Sequence, residues 1–198
     1  MNRRLMICQG VAVLLLLMAT VAVPAEESTN RPANWAQKIQ ATGIQNCYCV
    51  TTNLYRGAQP TAEGMAQLKA MGIKTVVNLR AWHSDKDKVA GTGLMSVRFE
   101  MEPWRGDTEE VVDFLKVVTV TTNLPAFVHC ERGADRTGMM CAMYRVAVCG
   151  WTKQQAIDEM KNGGFNFNPV WQDLVTFIEK ADIADIKRRA GIAAKIEN

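Results

Sequence analysis

The residues best equipped for chemistry lie together, in the stretch FVHCERGADRTGMM from Phe127 to Met140. Cys130 is followed six positions later by Arg136, with Gly133 between them and Thr137 directly after. A short apolar run precedes this stretch and a longer one follows it, which predicts a loop between a strand and a helix. The start of a helix has several unpaired backbone N–H groups. The helix dipole adds positive potential at the same place, and together they make an anion site. Gly133 lets the backbone curl without a side-chain clash. Arg136 supplies a planar fork that matches two oxygens of a phosphate. Cys130, at the base of the loop, is expected to ionise below the free-thiol value of about 8.5. A thiolate under a bound phosphorus, opposite the leaving oxygen, is a nucleophile aimed for in-line displacement. An inert buried thiol would need none of this apparatus.

The elements that must position these residues can be read from periodicity. NLYRGAQPT predicts a short strand and a turn. TAEGMAQLKAMG places Met65, Leu68 and Met71 on one helical face, ending at Gly72. KTVVNLR reads as a buried strand, the polar AWHSDKDKVAGTG as a loop, and LMSVRFEME as a strand. TEEVVDFLKVVTVT is an amphipathic helix with Val111, Val112, Leu115 and Val118 on one side. PAFVHC is a buried strand, and TGMMCAMYRVAVCG a helix apolar nearly all round and therefore central. Thr152 with Gln155 forms a capping box for the next helix. Asn168 and Pro169 start a last one, as cap and first residue. Strands alternating with helices predict an α/β fold, a single domain with a central, mostly parallel sheet flanked by helices. Ligands in such sheets bind beyond the carboxyl ends of the strands, where the cysteine loop lies.

Length and composition agree with one globular domain: 198 residues, 48% hydrophobic and 22% charged. A net charge of +3 gives no basic surface for nucleic acid. The chain opens with MNRR, an apolar run and VPAEES, the pattern of a secretory signal peptide cut after Ala25. Residues 1–25 are thus expected to be removed, 26–45 to be a polar lead-in, 46–188 the catalytic domain and 189–198 a tail. Losing Arg3 and Arg4 takes the charge from +3 to +1, and no membrane span is expected to remain. Export leaves five cysteines, 47, 49, 130, 141 and 149, so at least one is unpaired within the chain. Cys141 and Cys149, eight residues apart on one helix, are about 12 Å apart and too distant to bridge.

HCERGADRT fits the HCxxGxxR[ST] loop of the cysteine-dependent protein tyrosine phosphatase superfamily at every fixed position. From about residue 50 to residue 170 the chain resembles the small dual-specificity-type phosphatases of bacteria, with relatives in plants and fungi. It is most similar to exported bacterial members, which implies a periplasmic location. The resemblance implies that Cys130 attacks phosphorus and forms a cysteinyl-phosphate. Glu131, Arg132, Gly133, Ala134, Asp135 and Arg136 would bind substrate, through backbone N–H groups and the Arg136 guanidinium. His129 would orient the loop, and Thr137 would hydrogen-bond the thiolate. No metal or other cofactor is implied, and His83 and His129 are too few for a multi-histidine metal site.

The family takes its general acid from a separate loop, here MEPWRGDTEE. Asp107 is the first candidate, although with Glu110 it also reads as a helix cap and capping partner. Glu102 and Asp135 are the reserves. Arg56 and Arg80 end predicted strands on the loop side of the sheet and are read as ion-pair partners. The expected partner is a phosphoprotein or phosphorylated small molecule, with phosphotyrosine ahead of phosphoserine and phosphothreonine. The alternatives are a phospholipid or inositol-phosphate phosphatase and, without enzymatic activity, a phosphate-binding pseudophosphatase. The latter would be expected to lack Cys130 or Arg136.

Overall fold

The computed structural model describes residues 31–192. The predicted signal peptide and the last residues of the tail lie outside that range. Six strands form one sheet: β1 (Gln37–Lys38), β2 (Tyr48–Thr51), β3 (Leu54–Gly57), β4 (Thr75–Asn78), β5 (Met95–Arg98) and β6 (Ala126–His129). Their order is β1-β2-β3-β6-β4-β5. The four strands from β3 to β5 run parallel, and the β1-β2-β3 edge is antiparallel. The helices are α1 (Ala62–Ala70), α2 (Lys86–Val89), α3 (Thr108–Val118), α4 (Asp135–Ala147), α5 (Lys153–Asn162), α6 (Gln172–Lys180) and α7 (Ile183–Arg189).

Strand β6 is the centre of the design. All four of its residues are buried, as befits a parallel strand covered on both faces. Alternation sends its side chains to two separate cores. Phe127 joins Ile44, Met65, Leu68, Ile73 and Val76 under α1. Val128 joins Leu54, Val77, Leu115, Met139 and Leu174 on the other face, where α4 packs. Helix α4 buries nearly every residue, as a sequence apolar nearly all round predicts. His129 pairs across the sheet with Gly57 of β3 and Asn78 of β4, so three strand ends converge where the cysteine loop begins.

The caps expected at Thr152 and Asn168 form, and the structure adds one at Thr61. Thr61 accepts from the Gly64 N–H, and Thr152 with Gln155 makes the reciprocal box. Two local readings need correction. Asn168 and Pro169 open a single 3-10 turn, Pro169–Trp171, that leads into α6, and α7 follows as the last helix. The polar loop after β4 contains the one-turn helix α2. The lead-in also carries structure within its described part: β1 pairs with β2, and the buried Ala36 donates its N–H to Glu159 at 2.6 Å.

Candidate active site

The cysteine loop runs from the end of β6 to the start of α4. Cys130 is 3% exposed, at the floor of a cavity of about 190 Å³. Glu131, Arg132, Asp135 and Arg136 line that cavity together with Pro103 and Trp171. Five of the predicted site residues are therefore gathered around one small opening at the N-terminus of a buried helix. Arg136 is anchored by Nη1, which donates to the carbonyls of Leu79 and Met101, each at 3.2 Å. One bond reaches the end of β4 and the other the loop before α3.

Gly133 shows why the loop needs its glycine. Its φ is +68°, and a Cβ there would lie 2.3 Å from the backbone of Gly57. The loop is thus seated directly on β3. Arg56 of β3 holds it there. Its guanidinium is buried and donates to the carbonyls of Gly133 at 2.6 Å and Ala134 at 3.2 Å. It also stacks on Phe165, 3.8 Å from the ring centroid. Both loop carbonyls are thereby tied to β3. The ion-pair expectation fails for Arg56, whose partners are loop carbonyls and an aromatic ring. It holds for Arg80, which pairs with Glu131 at 3.3 Å.

Behind the loop, His129 is fully buried between two acceptors. Its Nδ1 lies 3.0 Å from the Cys130 carbonyl, and its Nε2 lies 2.6 Å from Asp85 Oδ2. A carbonyl can only accept, so Nδ1 carries a proton and donates. The Asp85 contact needs a second proton between ring and carboxyl. Burial pushes the Asp85 carboxyl up, but the His129 bond and charge, the Gln59 amide and Lys88 outweigh it and hold it below its ordinary value. Gln59 donates to Asp85 at 2.9 Å, accepts from Arg80, and sends its backbone N–H to the Glu131 carbonyl at 3.1 Å. Asp85, Gln59 and Arg80 thus brace the first turn of the loop.

The remaining candidates divide. Thr137 is fully buried, and its hydroxyl has no partner among the described residues; it is not paired with Cys130. Asp135 is used as a brace: Oδ1 accepts the Asn168 N–H at 2.8 Å, and Oδ2 lies 3.5 Å from Arg132. Asp107 caps α3 by accepting from the Glu109 N–H at 2.8 Å. Neither Asp107 nor Glu102 lines the cavity; Pro103 is the residue of their loop that does. Burial raises the Glu110 carboxyl, Asp107 adds to the rise, Arg105 works against it and Glu102 adds a little more. Glu110 makes no return bond to the cap among the described residues.

Sequence reasoning missed Asp85, Gln59, Trp171 and the grip of Arg56. Asp85 and Gln59 sit in polar, turn-like segments with no periodicity to mark them. Trp171 closes a proline turn whose direction the sequence does not encode.

A thiol at the floor of a loop that opens a buried helix, with an arginine in the wall, fits the site of a cysteine-dependent phosphatase. The family model described as "DSP-PTPase phosphatase fused to NAD+ Kinase" matches residues 29–174, and the chain belongs to that phosphatase family. It is 34% identical over 170 residues to the dual specificity protein phosphatase TpbA of Pseudomonas aeruginosa, covering 82% of this chain and 74% of that protein. It is 27% identical over 154 residues to the inositol diphosphatase DSP3 of Arabidopsis thaliana, covering 72% and 73%. The crystal structure of TpbA superimposes with a TM-score of 0.71 at 31% identity, covering 82% of this chain and 98% of that one. A Cys-to-Ser variant of TpbA in complex with phosphotyrosine gives 0.72 at 29% identity, covering 82% and 99%.

Proposed function

We propose that this phosphatase hydrolyses phosphotyrosine monoesters, with phosphoserine and phosphothreonine as further substrates, through a covalent intermediate on Cys130. The observation that carries this reading is the seat of Cys130, beneath an opening walled by Arg136 at the N-terminus of α4. Cys130 Sγ attacks phosphorus, the S–P bond forms and the bond to the leaving oxygen breaks. A carboxylic acid of the 102–110 loop protonates that oxygen, and Asp107 is assigned the role. Water then attacks phosphorus, the S–P bond breaks and the same carboxylate takes the proton. Arg136 and the loop N–H groups hold the equatorial oxygens, most tightly in the transition state. Thr137, whose hydroxyl has no partner among the described residues, is assigned to turn toward the departing thiolate and donate to it.

The phosphotyrosine complex of TpbA supports an aryl ester as substrate. The likeness to DSP3 supports a second reading, cleavage of an inositol diphosphate by the same groups. Turnover of a phosphotyrosine peptide against an inositol pyrophosphate, with chelator present, separates them. The proposal predicts peptide turnover that disappears in Cys130→Ser; turnover of the inositol compound alone would replace it with the second reading. Asp107→Asn should lose about 10²–10³-fold in kcat on alkyl phosphates and far less on activated aryl phosphates. An equal loss on both would remove Asp107 from the acid's role. We also propose export to the periplasm with cleavage after Ala25, supported by the basic and apolar N-terminus. An intact mass beginning at Met1 in the periplasmic fraction would contradict the cleavage.

A further inference from the structure

Beside the catalytic opening lies a larger cavity, of about 570 Å³, that shares two walls with it, Glu131 and Arg132. Lys38, on the edge strand β1, also lines it. The charges around it are unevenly engaged. Glu131 is held by Arg80 at 3.3 Å. Arg132 leans on Asp135 at 3.5 Å, yet its side chain remains 64% exposed. The Lys38 ammonium has no ion-pair partner among the described residues. The cavity therefore presents two cations, while its one carboxylate is already paired.

One wall is tied in place through Asn46. Asn46 and Asn166, which both line the cavity, adopt positive φ of 53° and 63°. Asn46 uses its amide to tie the Arg132 carbonyl, at 2.9 Å, to that of Phe165, at 3.0 Å. A substrate bound with phosphorus over Cys130 has its leaving group pointing outward. The neighbouring shelf is where the rest of such a substrate can lie.

We propose that this shelf is a specificity subsite for an acidic side chain next to the phosphorylated residue of a peptide, read by Lys38 and Arg132. Two cations match a single carboxylate better than a dense cluster of phosphates. The inference rests on the phosphatase reading and deepens it by naming the kind of peptide accepted.

The test compares kcat/KM for phosphotyrosine peptides with flanking glutamates, glutamines or lysines, in the wild-type chain and in Lys38→Glu. A small aryl phosphate without flanking charge serves as the internal reference. Lys38 is exposed, outside the catalytic machinery and on a sheet edge, so the reference activity should stay unchanged. The wild type should prefer the acidic over the neutral peptide by about fivefold, the size of one partly exposed charge pair. Lys38→Glu should abolish or reverse that preference, and salt should weaken it. Equal turnover of all three peptides by the wild type, or a preference untouched by Lys38→Glu, would overturn the proposal. A Lys38 dependence seen only with an inositol polyphosphate would overturn the peptide assignment. Failure to hydrolyse even the aryl phosphate would instead sink the phosphatase reading beneath it.

Discussion

A methyl group at position 133 would land 2.3 Å from the Gly57 backbone, which cannot give way without moving β3. Gly133→Ala is therefore expected to shift the cysteine loop by a substantial fraction of an ångström. Misplacement of that order costs about 10²-fold in rate, and kcat/KM on an aryl phosphate should fall accordingly. Near-normal activity would mean that the loop is not held as tightly as its contacts indicate. Asp85→Asn removes the charge that faces His129. The Asp85 carboxyl is held below its ordinary value in the folded state, so its contribution to stability is present above the unfolded value of about 3.9 and is lost as pH falls through the folded one. Urea midpoints of wild type and Asp85→Asn should differ at pH 7 and converge as the pH is lowered below about 4. A gap that widened toward acid would contradict the assigned direction. The sequence made Cys130, Gly133 and Arg136 legible because each is demanded by the chemistry at a fixed spacing. Asp85 and Arg56 act through the folded backbone, so their spacing in the chain carries no trace of their role.

At the scale of elements, α4 both follows the cysteine loop and is the main strut of the larger core. Arg145 on α4 is paired with Glu159 of α5 at 2.7 and 2.8 Å, with both side chains 5% exposed. Glu159 also receives the Ala36 N–H, so one carboxylate joins two helices and the segment before β1. Glu159→Ala would leave a buried guanidinium unpaired. The expected loss is about 3–5 kcal/mol, read as a lowered denaturation midpoint with an unchanged slope. A loss below about 1 kcal/mol would show that the pair behaves as an exposed one. Most elements were readable in advance, because β4, β6, α3 and α4 have strong periodic or uniformly apolar patterns. Strands β1 and β2 were not: β1 is two residues long, and its exposed pattern looks like any polar segment. The acid loop is the other gap. Asp107 was recognised both as a cap and as a candidate acid, and the structure realises the cap while the catalytic assignment rests on chemistry.

Across the whole molecule, a central strand with a separate core on each face delivers the cysteine to the point where three parallel strands end. This predicts a gradient of local stability. Amides of Phe127 and Val128 and the interior of α4 should exchange only on global unfolding, and those of the exposed turn α2 far sooner. Fast exchange in β6 would mean that the scaffold under the site opens independently. None of the described helices is long and apolar enough to cross a membrane. The proposed periplasmic export therefore rests on the N-terminal residues alone. The most direct test of the central claim is to mix the full chain with excess phosphotyrosine peptide, quench in acid within one turnover and map the product by mass spectrometry. One phosphoryl group on Cys130, absent from Cys130→Ser and vanishing as substrate is exhausted, is the predicted result. Steady turnover with Cys130 unmodified at every time point, or turnover retained in Cys130→Ser, would contradict the account.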